Sequence, residues 1–142
     1  MTSIMKKRII SFLLVTLMMA CTAVPAFARA SDYLDDYYVD LYSPRNGTMS
    51  VAVVVNGVGV LDKIGIRRID IEQKVNGTWT YYDTLDAVDH PEFYTYNART
   101  YLNEILFDGT PGVSYRVTVM VYAQRGSGSD TGYIPSMAAT CK

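Results

Sequence analysis

The chain has 142 residues, of which 49% are hydrophobic and 19% are charged, and its formal net charge is −1. This length predicts a single domain. The near-neutral charge argues against nucleic acid as a partner and against adsorption to anionic lipid, because both need a basic surface.

The first 28 residues have the pattern of a secretory signal peptide. A basic start, Lys6-Lys7-Arg8, precedes an apolar run at 9–20, and Ala26-Phe27-Ala28 offers small residues to a signal peptidase. We predict cleavage after Ala28, with cleavage after Ala30 as the second choice. The apolar run is shorter than the ~20 residues of a membrane-spanning helix. We therefore expect a secreted, extracellular protein with no membrane span.

Each of the two cysteines adds an alternative prediction, a lipid anchor at Cys21 and a disulfide-linked dimer at Cys141. Cys21 follows Met18-Met19-Ala20, so a lipoprotein signal that anchors the protein through Cys21 is the alternative to release. Removal of 28 residues leaves a domain of 114, residues 29–142, with 10 basic and 14 acidic residues and a net charge of −4. Cys141 is then the only thiol, which excludes an internal disulfide. We expect an exposed thiol, with a Cys141-linked dimer as the alternative.

The first half of the domain predicts a solvated acidic arm and then three strands. An edge strand over Tyr37–Ser43 is expected to end at Pro44, and alternating valines predict a central strand over Met49–Val55. The pattern breaks at Asn56-Gly57-Val58-Gly59, which predicts a loop that also carries Asp62, Lys63 and Gly65. A third strand is predicted over Ile66–Val75, with Ile69, Ile71 and Val75 facing inward.

The second half predicts four more strands. Asn76-Gly77 predicts a tight hairpin into a strand over Trp79–Leu85. A polar connection over Asp86–Asn97 precedes Thr100–Phe107, whose pattern fits a strand better than the alternative helical turn. The strongest pattern is Tyr115–Ala123, where odd-numbered residues should face the core and strands should pair on both sides. Tyr133–Thr140 is the last strand, and Pro135 places it at an edge or a bulge.

Seven short strands without a helix predict an all-β fold, an antiparallel β-sandwich of the immunoglobulin or fibronectin type III kind. Pro111-Gly112-Val113-Ser114-Tyr115 resembles the fibronectin type III segment that precedes the tyrosine corner, although the tryptophan of the second strand is missing. The resemblance implies that the Tyr115 hydroxyl bonds to the backbone of the preceding turn.

A second resemblance covers nearly the whole domain. Asp32-Tyr33-Leu34-Asp35, Asp62-Lys63-Ile64-Gly65 and Tyr115-Arg116 are similar to motifs of short secreted proteins of unknown function from Gram-positive, largely clostridial, bacteria. This family implies a secreted sandwich and supplies no activity.

Catalytic, metal and cofactor sites find no support in the sequence. His90 is the only histidine, and no serine lies in a nucleophile-elbow pattern, so we expect no enzyme. We predict instead a non-catalytic interaction module for an extracellular protein or the cell envelope, with exposed aromatic residues on one sheet or at Asp62-Lys63, His90-Pro91 and Arg125-Gly126. The alternative is a carbohydrate-binding module that stacks glycan on aromatic rings. The candidate ligand contacts are Trp79, Tyr82, Tyr94 and Tyr96.

Overall fold

The computed structural model describes residues 31–142. The predicted signal peptide, its cleavage site and Cys21 lie outside these residues and stay predictions. No helix in the described part of the chain is both long and apolar enough to cross a membrane.

The described residues form one antiparallel sheet of seven strands, which curls strongly. The elements are β1 (Leu34–Arg45), β2 (Thr48–Val75), β3 (Thr78–Asp86), a 3₁₀ turn (Pro91–Phe93), β4 (Tyr94–Asp108), β5 (Ser114–Arg125), β6 (Gly128–Pro135) and β7 (Ala139–Thr140). The sheet order is β1-β2-β5-β6, with β3 and β4 also paired to β2 and β7 paired to β5. The predicted all-β antiparallel class is therefore confirmed.

The long strand β2 replaces two predicted strands and the loop between them. Its first part pairs with β1 and with the end of β4, and its last part pairs with β3 and β5. The predicted loop at 56–65 is wrong because the chain stays extended there. The break in the pattern reflects a register shift against β4 between Asn56 and Leu61, together with Gly59 at φ 78°. Such an irregularity bends a strand without ending its pairing.

Other strand ends also differ from expectation. β4 begins at Tyr94 instead of Thr100, because its first residues pair with Lys63, Ile64 and Gly65 of β2. The predicted last strand is divided into β6 and β7 by residues 136–138. Pro135 ends β6, which lies at an edge of the sheet as predicted.

The first residues are not a solvated arm. Leu34 is buried and starts β1, and the Ser31 hydroxyl donates a hydrogen bond of 2.6 Å to Oδ2 of Asp130. At the other end of the same strand, β1 continues to Arg45, so Pro44 does not end it. Pro44 lies within a register shift between Tyr42 and Arg45, where its missing N–H breaks no regular pair.

The buried face follows the alternation of the strands. All five odd-numbered residues from Tyr115 to Ala123 in β5 are buried, and β5 pairs with β2 on one side and with β6 and β7 on the other, as predicted. Ile69 and Ile71 are buried as well. Val75 is 43% exposed, contrary to prediction, because it lies next to the turn at the tip of the β2–β3 hairpin, where it pairs with Thr78.

The predicted hydrogen bond between the Tyr115 hydroxyl and the backbone of the preceding turn is confirmed. The Tyr115 hydroxyl accepts a hydrogen bond of 2.8 Å from the backbone N–H of Thr110, in the turn before β5. The ring is fully buried and packs edge-on against Phe107 at 5.6 Å between centroids. One side chain therefore fixes the turn to the core.

Residues 141 and 142 are held against the sheet by hydrogen bonds. Cys141 is 2% exposed, so the expected exposed thiol is wrong. The Cys141 N–H donates to Val113 O, and its carbonyl accepts from the Gly112 N–H, both at 2.9 Å. The Lys142 N–H donates to Oγ of Ser43 at 2.9 Å. A disulfide between two copies through Cys141 would require this segment to open first.

Candidate functional site

The four candidate aromatic residues occupy three separate places. Tyr82 is half-buried against the core, 5.2 Å from the Tyr115 ring, and its hydroxyl donates a 2.7 Å hydrogen bond to Asp108 O. Trp79 lies at the β2–β3 hairpin opposite Lys74. Only Tyr94 and Tyr96 are neighbours, two residues apart on one face of β4.

Trp79 is surrounded by charged side chains. The Arg116 guanidinium lies 4.5 Å from the ring centroid and the Lys74 ammonium 5.7 Å from it. Arg116 also donates two hydrogen bonds to the Glu72 carboxylate, at 2.7 and 3.3 Å, which lowers the pKa of Glu72. Cations therefore already occupy positions beside the indole.

The register of three strands brings Tyr94 and Tyr96 to a third tyrosine. Gly65 of β2 pairs with Tyr94 of β4 on one side and with Tyr122 of β5 on the other. Two residues earlier, Lys63 pairs with Tyr96 in the same way. Side chains two residues apart share a face of the sheet, so a lysine and three tyrosines meet on one surface.

Gly65 explains how the rings come so close. The backbones of two strands that flank a central strand are roughly 10 Å apart. The ring centroids of Tyr94 and Tyr122 are nevertheless only 5.8 Å apart, with the rings edge to face. Gly65 places no side chain between them. A Cβ there would lie only 2.0 Å from the carbonyl oxygen of Phe93, so the start of β4 approaches β2 closely.

The ammonium of Lys63 lies among the three rings. Its Nζ is 3.9 Å from the Tyr94 centroid, 5.7 Å from Tyr122 and 6.0 Å from Tyr96. A second cation, the Arg67 guanidinium, lies 5.9 Å from the Tyr122 centroid. The negative faces of the rings attract both cations and hold them in place.

Both cations lack a carboxylate partner among residues 31–142. No described carboxylate oxygen lies within 4.0 Å of Lys63 or Arg67. Asp86 lies at the same surface, but its Oδ1 accepts a 2.9 Å hydrogen bond from the Val88 N–H in the turn after β3. Burial raises the pKa of Tyr94, partly opposed by Arg67, so its hydroxyl stays protonated near neutral pH.

These residues line an open groove of about 620 Å³. Its size falls within the range of small-molecule sites, roughly 300 to 1,000 Å³. We call it the Lys63 groove, and its lining residues are Lys63, Arg67, Asp86, Ala87, Val88, Pro91, Tyr94, Tyr96 and Tyr122.

His90 lies beside the groove and does not line it. Its ring stacks on Phe93 at 4.8 Å, and its Nδ1 lies 2.9 Å from a carboxylate oxygen of Glu92. The described residues contain no group of three histidine, cysteine or acidic side chains placed to hold a metal ion. The groove offers cationic and aromatic side chains for recognition of a ligand.

Sequence reasoning found part of this site. It named Tyr94 and Tyr96 as contacts and placed Asp62-Lys63 and His90-Pro91 near an aromatic surface, and Lys63 and Pro91 do line the groove. It missed Arg67, and it did not join Lys63 to the tyrosines. The missing step was the register, because residues 62–65 were expected to form a loop.

Comparison with known proteins assigns no family. No protein-family model matches the chain, and no curated protein matches it. A solved structure that aligns with it is the crystal structure of a family 76 glycoside hydrolase from a bovine Bacteroides thetaiotaomicron strain, with 14% identity and a TM-score of 0.33. The alignment covers 79% of this chain and 21% of that chain. This similarity is too low to support an argument about fold or activity.

Proposed function

We propose that the protein is a secreted, non-catalytic interaction module that binds its extracellular or cell-envelope ligand in the Lys63 groove. The observation that carries the proposal is the ammonium of Lys63, set among three tyrosine rings in an open groove without a described carboxylate partner. Aromatic rings with a polar tip are typical of binding surfaces because they give rigid contact area at low entropic cost.

The proposed architecture is a fibronectin type III-like sandwich in the manner of the secreted bacterial family named above. The hydrogen bond from Thr110 N–H to the Tyr115 hydroxyl supports it, since that bond is a hallmark of such sandwiches. In this arrangement the Lys63 groove lies on an outer face of the sheet, where a ligand has free access.

A carbohydrate-binding module is the second candidate. Three tyrosine rings in one groove favour it, because the flat faces of aromatic rings pack against the C–H faces of sugars. The predicted contact at Trp79 is a separate alternative. Loss of glycan binding in Trp79→Ala, with the melting temperature of the protein unchanged, would favour it.

The test compares two exposed tyrosines. Tyr96 is 61% exposed in the groove, and Tyr81 is 69% exposed on β3, so Tyr96→Ala and Tyr81→Ala remove similar surface at different places. Wild type and both variants are probed against an array of glycans and against cell-envelope fractions. We expect Tyr96→Ala to weaken the observed binding by about tenfold or more, and Tyr81→Ala to leave it unchanged. Equal binding by all three proteins would contradict the groove as the binding site.

A further inference from the structure

We infer that the Lys63 groove binds a sugar ring that carries a carboxylate, as in an acidic extracellular polysaccharide. This inference rests on the proposed function and adds the chemical class of the ligand. It follows from the charge of the groove, from the pairing of the strands beneath it and from its shape.

The charge of the groove favours an anionic ligand. Lys63 and Arg67 contribute two positive charges and Asp86 contributes one negative charge, so the lining has a net positive charge; one oxygen of Asp86 also accepts a hydrogen bond from the Val88 N–H. The predicted mature domain, residues 29–142, carries a net charge of −4, so two cations on one surface are opposite in sign to the domain as a whole. A carboxylate placed between the two cations would give both of them the partner that residues 31–142 do not provide.

The backbone under the groove excludes one way of binding a peptide. An extended peptide binds a sheet by pairing with a free strand edge. At Lys63 and Gly65, however, β2 is paired on one side with β4 and on the other with β5. No strand edge is free at this floor, so recognition has to come from side chains alone.

The shape of the groove fits one or two rings. Its volume of about 620 Å³ lies within the range of small-ligand sites, roughly 300 to 1,000 Å³. Tyr96 is 61% exposed and offers a ring face for the apolar side of a sugar, and the Lys63 ammonium lies beside it, over the Tyr94 ring. An acidic sugar uses the rings and the cations together, which a neutral sugar or a simple anion does not.

The experiment uses two oligosaccharides with the same sugar backbone, in which the carboxyl groups are either ionised or methyl-esterified. The probes are a trimer of galacturonic acid and its fully methyl-esterified form, titrated into the mature protein by calorimetry. We expect the acid to bind about tenfold more tightly than the ester or better, since hydrogen bonds to ionised groups are stronger by this amount. Raising the salt concentration should weaken the binding of the acid and leave the ester unchanged.

A matched lysine controls for the loss of charge. Lys63→Met and Lys74→Met each remove an ammonium that lies near an aromatic ring, but Lys74 lies beside Trp79 at the β2–β3 hairpin. We expect Lys63→Met to lower the affinity for the acid by about tenfold and to reduce its preference over the ester, with Arg67 providing the remaining charge. Lys74→Met should bind both probes as the wild type does, and equal unfolding midpoints show that both variants fold.

Three outcomes overturn the inference. Equal affinity of the acid and the ester in the groove would refute the carboxylate while the proposed function stands. Binding of poly-glutamate that is lost in Lys63→Met, with neither oligosaccharide bound, would identify an acidic protein partner instead. Binding of the acid that Lys63→Met leaves unchanged would place the sugar elsewhere. The proposed function itself fails only in the separate comparison of Tyr96→Ala with Tyr81→Ala.

Discussion

The hydroxyl of Tyr115 connects the buried face of β5 to the turn that precedes it. Replacement by phenylalanine keeps the packing against Phe107 and removes only the hydrogen bond from Thr110. We expect Tyr115→Phe to lower the free energy of unfolding by about 1 kcal/mol, measured by urea denaturation. Tyr133 is 59% exposed, so Tyr133→Phe serves as the control and should leave stability unchanged. Equal stability of the two variants would show that the hydrogen bond from Thr110 to the Tyr115 hydroxyl does not stabilise the fold.

Tyr101 makes the fold sensitive to alkali. Burial raises the pKa of Tyr101 to about 12, against about 10 in an unfolded chain. The unfolded state therefore loses its proton first, and this contribution to stability is complete below pH ~10 and is lost between pH ~10 and ~12. We expect the wild type to lose about 2 kcal/mol more than Tyr101→Phe over this range, as measured by urea denaturation at each pH. If the stability of wild type and that of Tyr101→Phe fall in parallel over this pH range, Tyr101 is not the source of the alkali sensitivity.

At the scale of the strands, Gly65 is the point where β4 comes closest to β2. A Cβ there would lie 2.0 Å from Phe93 O, whereas one at Gly77 would meet no atom within 4 Å, and both glycines have positive φ. We expect Gly77→Ala to cost about 1 kcal/mol from the backbone alone and Gly65→Ala to cost about 3 kcal/mol or more. Gly65→Ala combines this steric contact with the backbone cost of a φ of 151°, whereas Gly77→Ala carries only the cost of a φ of 79°.

Gly65→Ala should also disturb the Lys63 groove. The added methyl group pushes against the backbone that carries Tyr94, so the spacing of Tyr94 from Tyr122 cannot persist. The measurement is the chemical shift of the Tyr94 and Tyr122 ring protons, at a temperature where the variant is folded. Unshifted rings would show that the groove does not depend on this close approach.

The strands show which features the sequence could predict and which it could not. The hairpin at Asn76-Gly77 was predictable because both residues have the positive φ, 49° and 79°, of the tight turn that this pair favours. The continuity of β2 was not predictable, because glycines at 57 and 59 usually end a strand. Here the partner strand β4 pairs with β2 before and after the shift. Long-range pairing, which local patterns do not encode, decided the outcome.

The same reason limited the candidate site. Tyr94 and Tyr96 could be named because exposed aromatic residues are frequent ligand contacts. Their meeting with Lys63 and Tyr122 depends on the register of three strands that are distant in the sequence. The separation of Trp79 from them follows from the length of β2, since Lys74 lies nine residues beyond Gly65, about 30 Å of extended strand.

At the scale of the whole molecule, the buried end of the chain controls the reactivity of Cys141. The thiol is 2% exposed, and the backbone on both sides of it is hydrogen bonded. We expect a thiol reagent to modify the native protein at least about a hundredfold more slowly than the protein in urea, because modification requires local opening. Fast modification of the native protein would contradict the buried position and would make a Cys141-linked dimer easy to form.

The continuity of β2 has a consequence for how the protein comes apart. Because one strand pairs with β1, β3, β4 and β5, release of β2 leaves β1, β3 and β4 without a partner strand, and β5 keeps only its pairing with β6 and β7. Amide protons at both ends of β2 should therefore exchange with deuterium through the same global opening, with one common free energy. Cleavage of the backbone between residues 56 and 61 would leave two fragments, and each would lack a strand that its remaining partners need.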